Sequence, residues 1–301
     1  MEQKQMADQM ADTVMAERWE PETGKFRKTE NLLSAFGFSE WETMPRVISF
    51  VGAGGKTSTM YDLARELAAN GARVLVTTST HIFKPERYKV EVVSKLADLP
   101  GEKSGYLGAD AESELKKTEM TRHESENHAA VGKILVAGKQ AQGPGMEEKL
   151  TMPEDLGDES VMKRLLSHFA VILIEADGSK RLPFKIPSET EPVLIPQTGM
   201  VVACAGLKAG GKTFADVCFR FASHGAWLKR KETDIVTAED IALVFMDERG
   251  SRKGLDGRYY RILLNQSDGE AEKKLSESIV AVLPENLQRV CIRTTRMAQE
   301  E

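Results

Sequence analysis

A chain of 301 residues, 41% hydrophobic and 29% charged, can bury one generous core or two small ones and has the balance of a soluble globular protein. Its formal net charge of −5 argues against a nucleic-acid binder, which would carry a basic stripe. No stretch nears the roughly 20 apolar residues of a membrane helix, and the first residues lack the apolar run of roughly 7–15 of a signal peptide, so the expectation is a cytoplasmic protein without a membrane partner.

In chain order, residues 1–30 are polar and weakly periodic and read as a loose tail or marginal helix, and residues 1–44 as a flexible N-terminal tail. Residues 31–38 suggest a short amphipathic turn ending at Gly37. Val47–Val51 has the short apolar run of a buried parallel strand. A helix follows over Ser58–Asn70, with Met60, Leu63, Ala64, Leu67 and Ala68 on one face and Gly71 as its stop. Val74–Thr78 completes a βαβ unit. Residues 108–130 and 140–160 are rich in Glu, Lys, Gly and Pro and read as surface excursions, an insertion around 108–160, with a strand at Lys133–Ala137 between them. A helix near Ser160–His168 feeds the strand Val171–Glu175, and Val201–Ala205 is another strand. Thr237–Met246 reads as a helix capped by Thr237, with Glu239 and Asp240 in its first turn. A late strand at Arg261–Leu264, a charged helix and Val290–Ile292 complete the series. Alternating strands and helices predict an α/β fold, a P-loop NTPase-like, mostly parallel sheet flanked by helices with surface insertions, in one domain over 45–295. Cys204, Cys218 and Cys291 show no C-x-x-C spacing, so they read as partly buried thiols in a reducing compartment.

The chemistry starts at Gly52-Ala53-Gly54-Gly55-Lys56-Thr57, continued by Ser58. A loop that holds a triphosphate needs glycines where side chains would block the backbone, a lysine for the β/γ-phosphates and a hydroxyl for Mg²⁺. A strand before the loop and a helix N-terminus behind it complete the context. The full pattern would place glycine at position 50, which is Phe50, so the loop has the shorter G-x-x-G-K-T form and resembles that of Mur-type ligases. A rival, Gly206–Thr213 (GLKAGGKT), satisfies the full pattern literally and also follows a strand. The weak helical spacing after Thr213, and the helix-start signals where its acidic strand would be, count against it.

Glu175 and Asp177 close the best apolar strand, where a P-loop domain needs a carboxylate near Mg²⁺. Asp177 would bind the metal with Thr57, and Glu175 would orient the attacking water or share the metal. Lys56, Glu175 and Asp177 are therefore the candidate catalytic residues. Thr78 and His81 end the second strand on the ligand-binding edge, as phosphate or metal contacts or as ordinary strand residues. Lys180, Arg181 and Lys185 either meet an anionic ligand or partner or lie on a solvated turn. Asn265-Gln266-Ser267-Asp268 is similar to the N-K-x-D element of GTP-binding proteins, with Asp268 the guanine reader and Asn265 beside it; GTP and ATP stay open.

VISFVGAGGKTST (47–59), VLVTTSTHIF (74–83), EADGSKRLPFK (175–185) and LNQSD (264–268), with their spacing, resemble the YqeC family of selenium-dependent hydroxylase accessory proteins. The resemblance implies a cytoplasmic role in maturing selenium-containing molybdenum hydroxylases, alongside a molybdenum-cofactor nucleotidylyltransferase-like protein, with Gly52–Thr57 as the nucleotide loop. The expected function is a nucleotide-binding, hydrolysing maturation factor that uses Mg²⁺ and GTP or ATP, its partners the hydroxylase or its cofactor-maturation proteins. The alternatives are a small-molecule kinase or ligase acting on a cofactor precursor, and a non-catalytic nucleotide-binding module.

Overall fold

The computed structural model describes residues 14–99 and 133–296. In chain order the elements are β1 (Val14–Glu20), β2 (Lys25–Lys28), α1 (Leu32–Ala35), β3 (Val47–Gly52), α2 (Lys56–Ala69), β4 (Val74–Thr78), β5 (His81–Phe83), β6 (Lys89–Val92), β7 (Ile134–Gln140) and β8 (Lys149–Thr151). There follow α3 (Glu159–His168), β9 (Val171–Glu175), β10 (Phe184–Lys185), β11 (Met200–Gly206), α4 (Phe214–Val217), β12 (Cys218–Phe219), α5 (Phe221–His224) and α6 (Ala238–Met246). The last four are β13 (Tyr259–Asn265), α7 (Glu270–Val282), α8 (Glu285–Gln288) and β14 (Cys291–Arg296).

Eight strands run parallel in the order β14-β13-β11-β3-β9-β4-β7-β6, with helices on the sheet's faces. The central strands are apolar without alternation because both faces are covered. In β3, Ile48 and Phe50 pack with Met60, Leu63 and Leu67 of α2, whereas Val47 and Val51 face two other core clusters. The fold is the α/β, mostly parallel, P-loop NTPase-like architecture that the strand and helix spacing predicts. Local signals set the helix ends. Asp158 accepts from Ser160 and Val161 at the start of α3, and Thr237 and Asp240 form a capping box on α6. Helix α2 begins two residues earlier than its apolar spacing suggests, because Gly55, with φ of 103°, turns the chain directly into it.

Two readings of the sequence need correction. Residues 14–28, read as part of a loose tail or marginal helix, form the hairpin β1–β2, and β1 pairs antiparallel with β14 at the sheet edge. The reason is tertiary: Trp19 packs edge-on against Phe26, the Arg293 guanidinium lies 4.4 Å from the Phe26 ring, and Glu17 pairs with Arg293 at 2.6 Å. Trp19 and Phe26 are neighbours across the hairpin, but Arg293 lies 276 residues from Glu17. The stretch 140–160, read as a surface excursion, contains β8, which joins β7 and β5 antiparallel through the buried Leu150. Residues 1–13 and the 108–130 excursion lie outside the described residues.

Replacing Trp19 with alanine is expected to lower stability by about 3 kcal/mol through lost burial and a residual void. Urea unfolding followed by circular dichroism checks this; an unchanged midpoint would mean the hairpin does not stay docked.

Candidate functional site

The glycine loop leaves β3 at the carboxyl edge of the sheet. Gly52, Gly54 and Gly55 have φ of 90°, 72° and 103°, the left-handed region that favours glycine. Space demands glycine as well: a Cβ at Gly54 would lie 2.1 Å from the Gly206 nitrogen, and one at Gly55 2.0 Å from the Asn265 amide. Asn265 donates from Nδ2 to the Gly54 carbonyl at 2.9 Å, and its Oδ1 accepts from the Thr294 hydroxyl at 2.7 Å. The N–H groups of Gly52, Ala53 and Gly54 are committed within the protein, to Asp177 Oδ2 (2.8 Å), the Cys204 carbonyl (2.9 Å) and the Leu182 carbonyl (3.3 Å). Helix α2 then opens with no side-chain cap and no acid in its first turn. Fourteen residues of aligned peptide dipole therefore present an uncapped positive end at Lys56, Thr57 and the exposed Ser58.

Around this end the fold gathers a buried chain of charges. Lys56 Nζ donates to the Gly52 carbonyl at 2.6 Å and lies 3.2 Å from Asp177 Oδ1. Asp177 Oδ2 is 3.0 Å from Lys185 Nζ, which also meets Glu191 at 2.7 Å and the Gly178 carbonyl at 2.7 Å. Glu191 in turn pairs with Arg220. Thr57 donates its hydroxyl to Glu175 Oε2 at 2.6 Å. Lys56, Lys185 and the three carboxylates are buried, the Lys185 side chain being 0% exposed, and the half-buried Arg220 ends the chain toward solvent. Burial alone would lower the Lys56 pKa, but Asp177 and then Glu175 outweigh it and hold the ammonium above its ordinary range. Burial pushes the Glu175 carboxyl up, further than Lys56 and the Thr57 hydrogen bond pull it down.

The sequence candidates thus separate. Lys56, Thr57, Glu175, Asp177 and Lys185 converge; Thr57 faces Glu175, while Asp177 is engaged by Gly52, Lys56 and Lys185. Thr78 is buried and donates to the Glu175 carbonyl at 2.9 Å, bracing β4 to β9. His81 is exposed on β5, and Lys180 and Arg181 are exposed on the turn after β9. Asn265 anchors the loop, but Asp268 is exposed and pairs with Lys208 at 2.9 Å. In the rival segment Lys212 is exposed, Thr213 spends its hydroxyl on Asp216 at 2.6 Å, and only the four-residue α4 follows. Its Gly206 serves instead as a wall against Gly54. All three cysteines are free and buried.

Glu191, Arg220 and Thr294 belong to this arrangement and were not singled out by sequence reasoning. Glu191 sits between prolines without periodicity, and Thr294 reads as an ordinary strand residue. Glu191 ends the polar run that starts with Ser188-Glu189-Thr190, which offered no signal that its last residue is buried.

The two acids at the end of β9 are expected to respond oppositely to neutralisation. Asp177→Asn takes from the buried Lys56 its carboxylate contact and leaves Lys185 with Glu191 alone, and should cost about 3–5 kcal/mol. Glu175 has a folded pKa above its ordinary 4.5, so its contribution to stability is full at acid pH and lost as pH rises through the folded pKa. Glu175→Gln removes that loss, so its stability relative to wild type should climb as pH rises toward neutrality. Thermal unfolding of both variants across the acid-to-neutral range checks this, and a destabilised Glu175→Gln at neutral pH would contradict it.

Comparison with known proteins bears on the same region. The family model described as "YqeC protein" matches residues 48–222, more than half of the chain, taking in the glycine loop, both acids, Lys185, Glu191 and Arg220 but ending before Asn265. The chain is also similar to a protein of Escherichia coli (strain K12) described as "Uncharacterized protein YqeC", 33% identical over 162 residues. That match covers 54% of this chain and 52% of the relative, so it spans about half of the relative's length. With the loop, the acid pair and the lysine ladder all inside the matched stretch, the chain belongs to the YqeC family.

Proposed function

We propose that the chain binds a nucleoside triphosphate with Mg²⁺ at Gly52–Thr57 and hydrolyses it, as an accessory factor in maturing a selenium-dependent molybdenum hydroxylase. The observation that carries the nucleotide reading is the uncapped N-terminus of α2, reached through a glycine loop from a buried parallel strand and flanked by Lys56, Thr57 and Glu175. The maturation role rests on the family resemblance.

The donor set fits the ligands. Three loop N–H groups are already satisfied, so the first-turn N–H groups of α2 and the Lys56 ammonium are the donors for phosphate oxygens. Among the described residues no group of three or more His, Cys, Asp or Glu forms a metal cage. That suits Mg²⁺, which keeps waters and phosphate oxygens as ligands and needs only one or two protein oxygens. Thr57 and Glu175 would hold it, with Asp177 the further oxygen ligand anticipated for this edge, and it would supply charge neutralisation for the phosphates. Lys56 serves phosphate by loosening its contact with Asp177, whose charge stays compensated by Lys185 at 3.0 Å. The protein thus exchanges one partner of Lys56 for another without exposing a naked buried carboxylate. Asp268 reads guanine only by leaving Lys208, so the choice between GTP and ATP is set by that release. A second reading, phosphoryl transfer to a small molecule, is favoured by the exposed Lys180 and Arg181 beside the loop.

Calorimetric titration of GTP and ATP with Mg²⁺ is expected to show binding to wild type and to Lys212→Ala but not to Lys56→Ala. Binding that survives Lys56→Ala, or that neither nucleotide shows at millimolar concentration, would rule the loop out. A client that speeds turnover supports the accessory role, and a phosphorylated product absent from protein-free controls supports transfer.

A further inference from the structure

Beside the phosphate loop stands a small platform of unusual chemistry. Across the antiparallel pair β5–β8, Phe83 faces Lys149 and His81 faces Thr151. Strand alternation places His81 and Phe83 together on the exposed face while Ile82 is buried, and Phe83 is 46% exposed. The Lys149 ammonium lies 4.8 Å from the centroid of the Phe83 ring, and the Arg181 guanidinium lies 5.0 Å from the same centroid. Lys180 reaches the other way and lies 5.4 Å from the Phe219 ring.

The turn that carries these cations is held in place at a cost. Lys180 and Arg181 have φ of 49° and 64°, which is unusual for long side chains and needs support from the surroundings. The support is the loop itself: Leu182, the next residue, accepts from the Gly54 N–H at 3.3 Å, and Pro183 accepts from the Gly206 N–H at 2.8 Å. Arg181 is therefore tied, one residue away, to the backbone of the candidate phosphate loop.

Charge accounting separates these cations from the others near the loop. Lys56, Lys185 and Arg220 each have a carboxylate partner. Among the described residues Lys149 and Arg181 have none, and an aromatic ring supports them both. A ring that holds a cation extended lowers the entropy lost when an anion docks, and the cation–aromatic contact costs it none of its charge. Both heads lie within 5.0 Å of one centroid, so their separation is at most twice that distance, a span that a short polyphosphate chain can bridge.

We propose that Lys149 and Arg181, supported by Phe83, form a second oxyanion site that takes a phosphate group at the mouth of the loop. The choice of phosphate among oxyanions rests on the nucleotide reading of Gly52–Thr57. The phosphate belongs either to a separate phosphorylated substrate or to the outer phosphates of the nucleotide.

Pyrophosphate is the probe. Calorimetric titration into wild type, Arg181→Gln, Lys149→Gln, Phe83→Leu, Lys56→Ala and Lys163→Gln, with and without saturating Mg²⁺–nucleotide, tests the assignment. Loss of one charge-assisted contact should weaken pyrophosphate about tenfold in Arg181→Gln and in Lys149→Gln. Phe83→Leu should weaken it less, and Lys163→Gln, on the exposed side of α3, should match wild type. Binding that persists under saturating nucleotide assigns the site to a separate substrate. Displacement by nucleotide, with the same two variants weakening nucleotide itself, assigns it to the nucleotide's own phosphates. No binding to wild type at millimolar concentration, or wild-type affinity in both Arg181→Gln and Lys149→Gln, overturns the proposal. Loss in Lys56→Ala alone overturns it while leaving the loop reading intact; weakening in Arg181→Gln with no nucleotide binding anywhere sinks the loop reading and leaves the oxyanion site.

Discussion

The line of charge that runs from the half-buried Arg220 through the buried Glu191, Lys185 and Asp177 to Lys56 organises the carboxyl edge of the sheet. Such a chain adds little net stability over apolar packing, yet it is expensive to interrupt, because any missing member leaves its neighbours charged and dry. It links three separated pieces of sequence: the loop after β3, the turn and short strand after β9, and the segment between β12 and α5. Through Asp177 it also fixes the Gly52 N–H, so the conformation of the loop and the balance of the charges are one problem. The loop then has little freedom of its own, since Gly54 and Gly55 are hemmed in by Gly206 and Asn265.

Topology explains why these pieces meet where they do. Strand β3 lies between β9 and β11, with β4 beyond one neighbour and β13 beyond the other. The chain departs from β3 to one side first and returns to the other side later, which opens a crevice above the carboxyl ends at that point. The glycine loop, the acids of β9, Gly206 of β11 and Asn265 of β13 are all residues at those ends. The turn after β9 meets the β5–β8 pair where Arg181 lies over Phe83.

Much of this was readable in the residues, for reasons that differ by element. β4 (VLVTT) and β9 (VILIE) are short apolar runs closed by polar residues, so their bounds followed from composition, and α6 announced itself by its Thr237 cap and the acids Glu239 and Asp240. The turn from β3 into α2 was recognisable because its left-handed backbone needs glycine at fixed positions. The hairpin was not, because its stability comes from Arg293 and the edge of β14, nearly the whole described chain away. Glu191 was hidden for a similar reason: its partners Lys185 and Arg220 are brought to it by the fold, and nothing local marks a glutamate between prolines as buried. In the literal eight-residue motif at 206–213 the first glycine packs against Gly54, Lys212 is exposed and Thr213 bonds Asp216, relations that no pattern search displays.

The pairing of β1 with β14 also has a bearing on how the chain folds. Val14 stands opposite Arg296, so beyond its hairpin partner β2 the earliest described strand has nothing to pair with until the latest one is in place. A chain emerging from its N-terminus can assemble β3, α2 and β4 early, through contacts of modest sequence separation, while the hairpin waits with its edge unpaired. Closing that edge costs loop entropy for the whole intervening chain, so it belongs among the last events of folding and among the first lost on partial unfolding. The junction between β1 and β14, far along the order from β6, is thus the sheet's kinetic seam, closed only once β14 has been made.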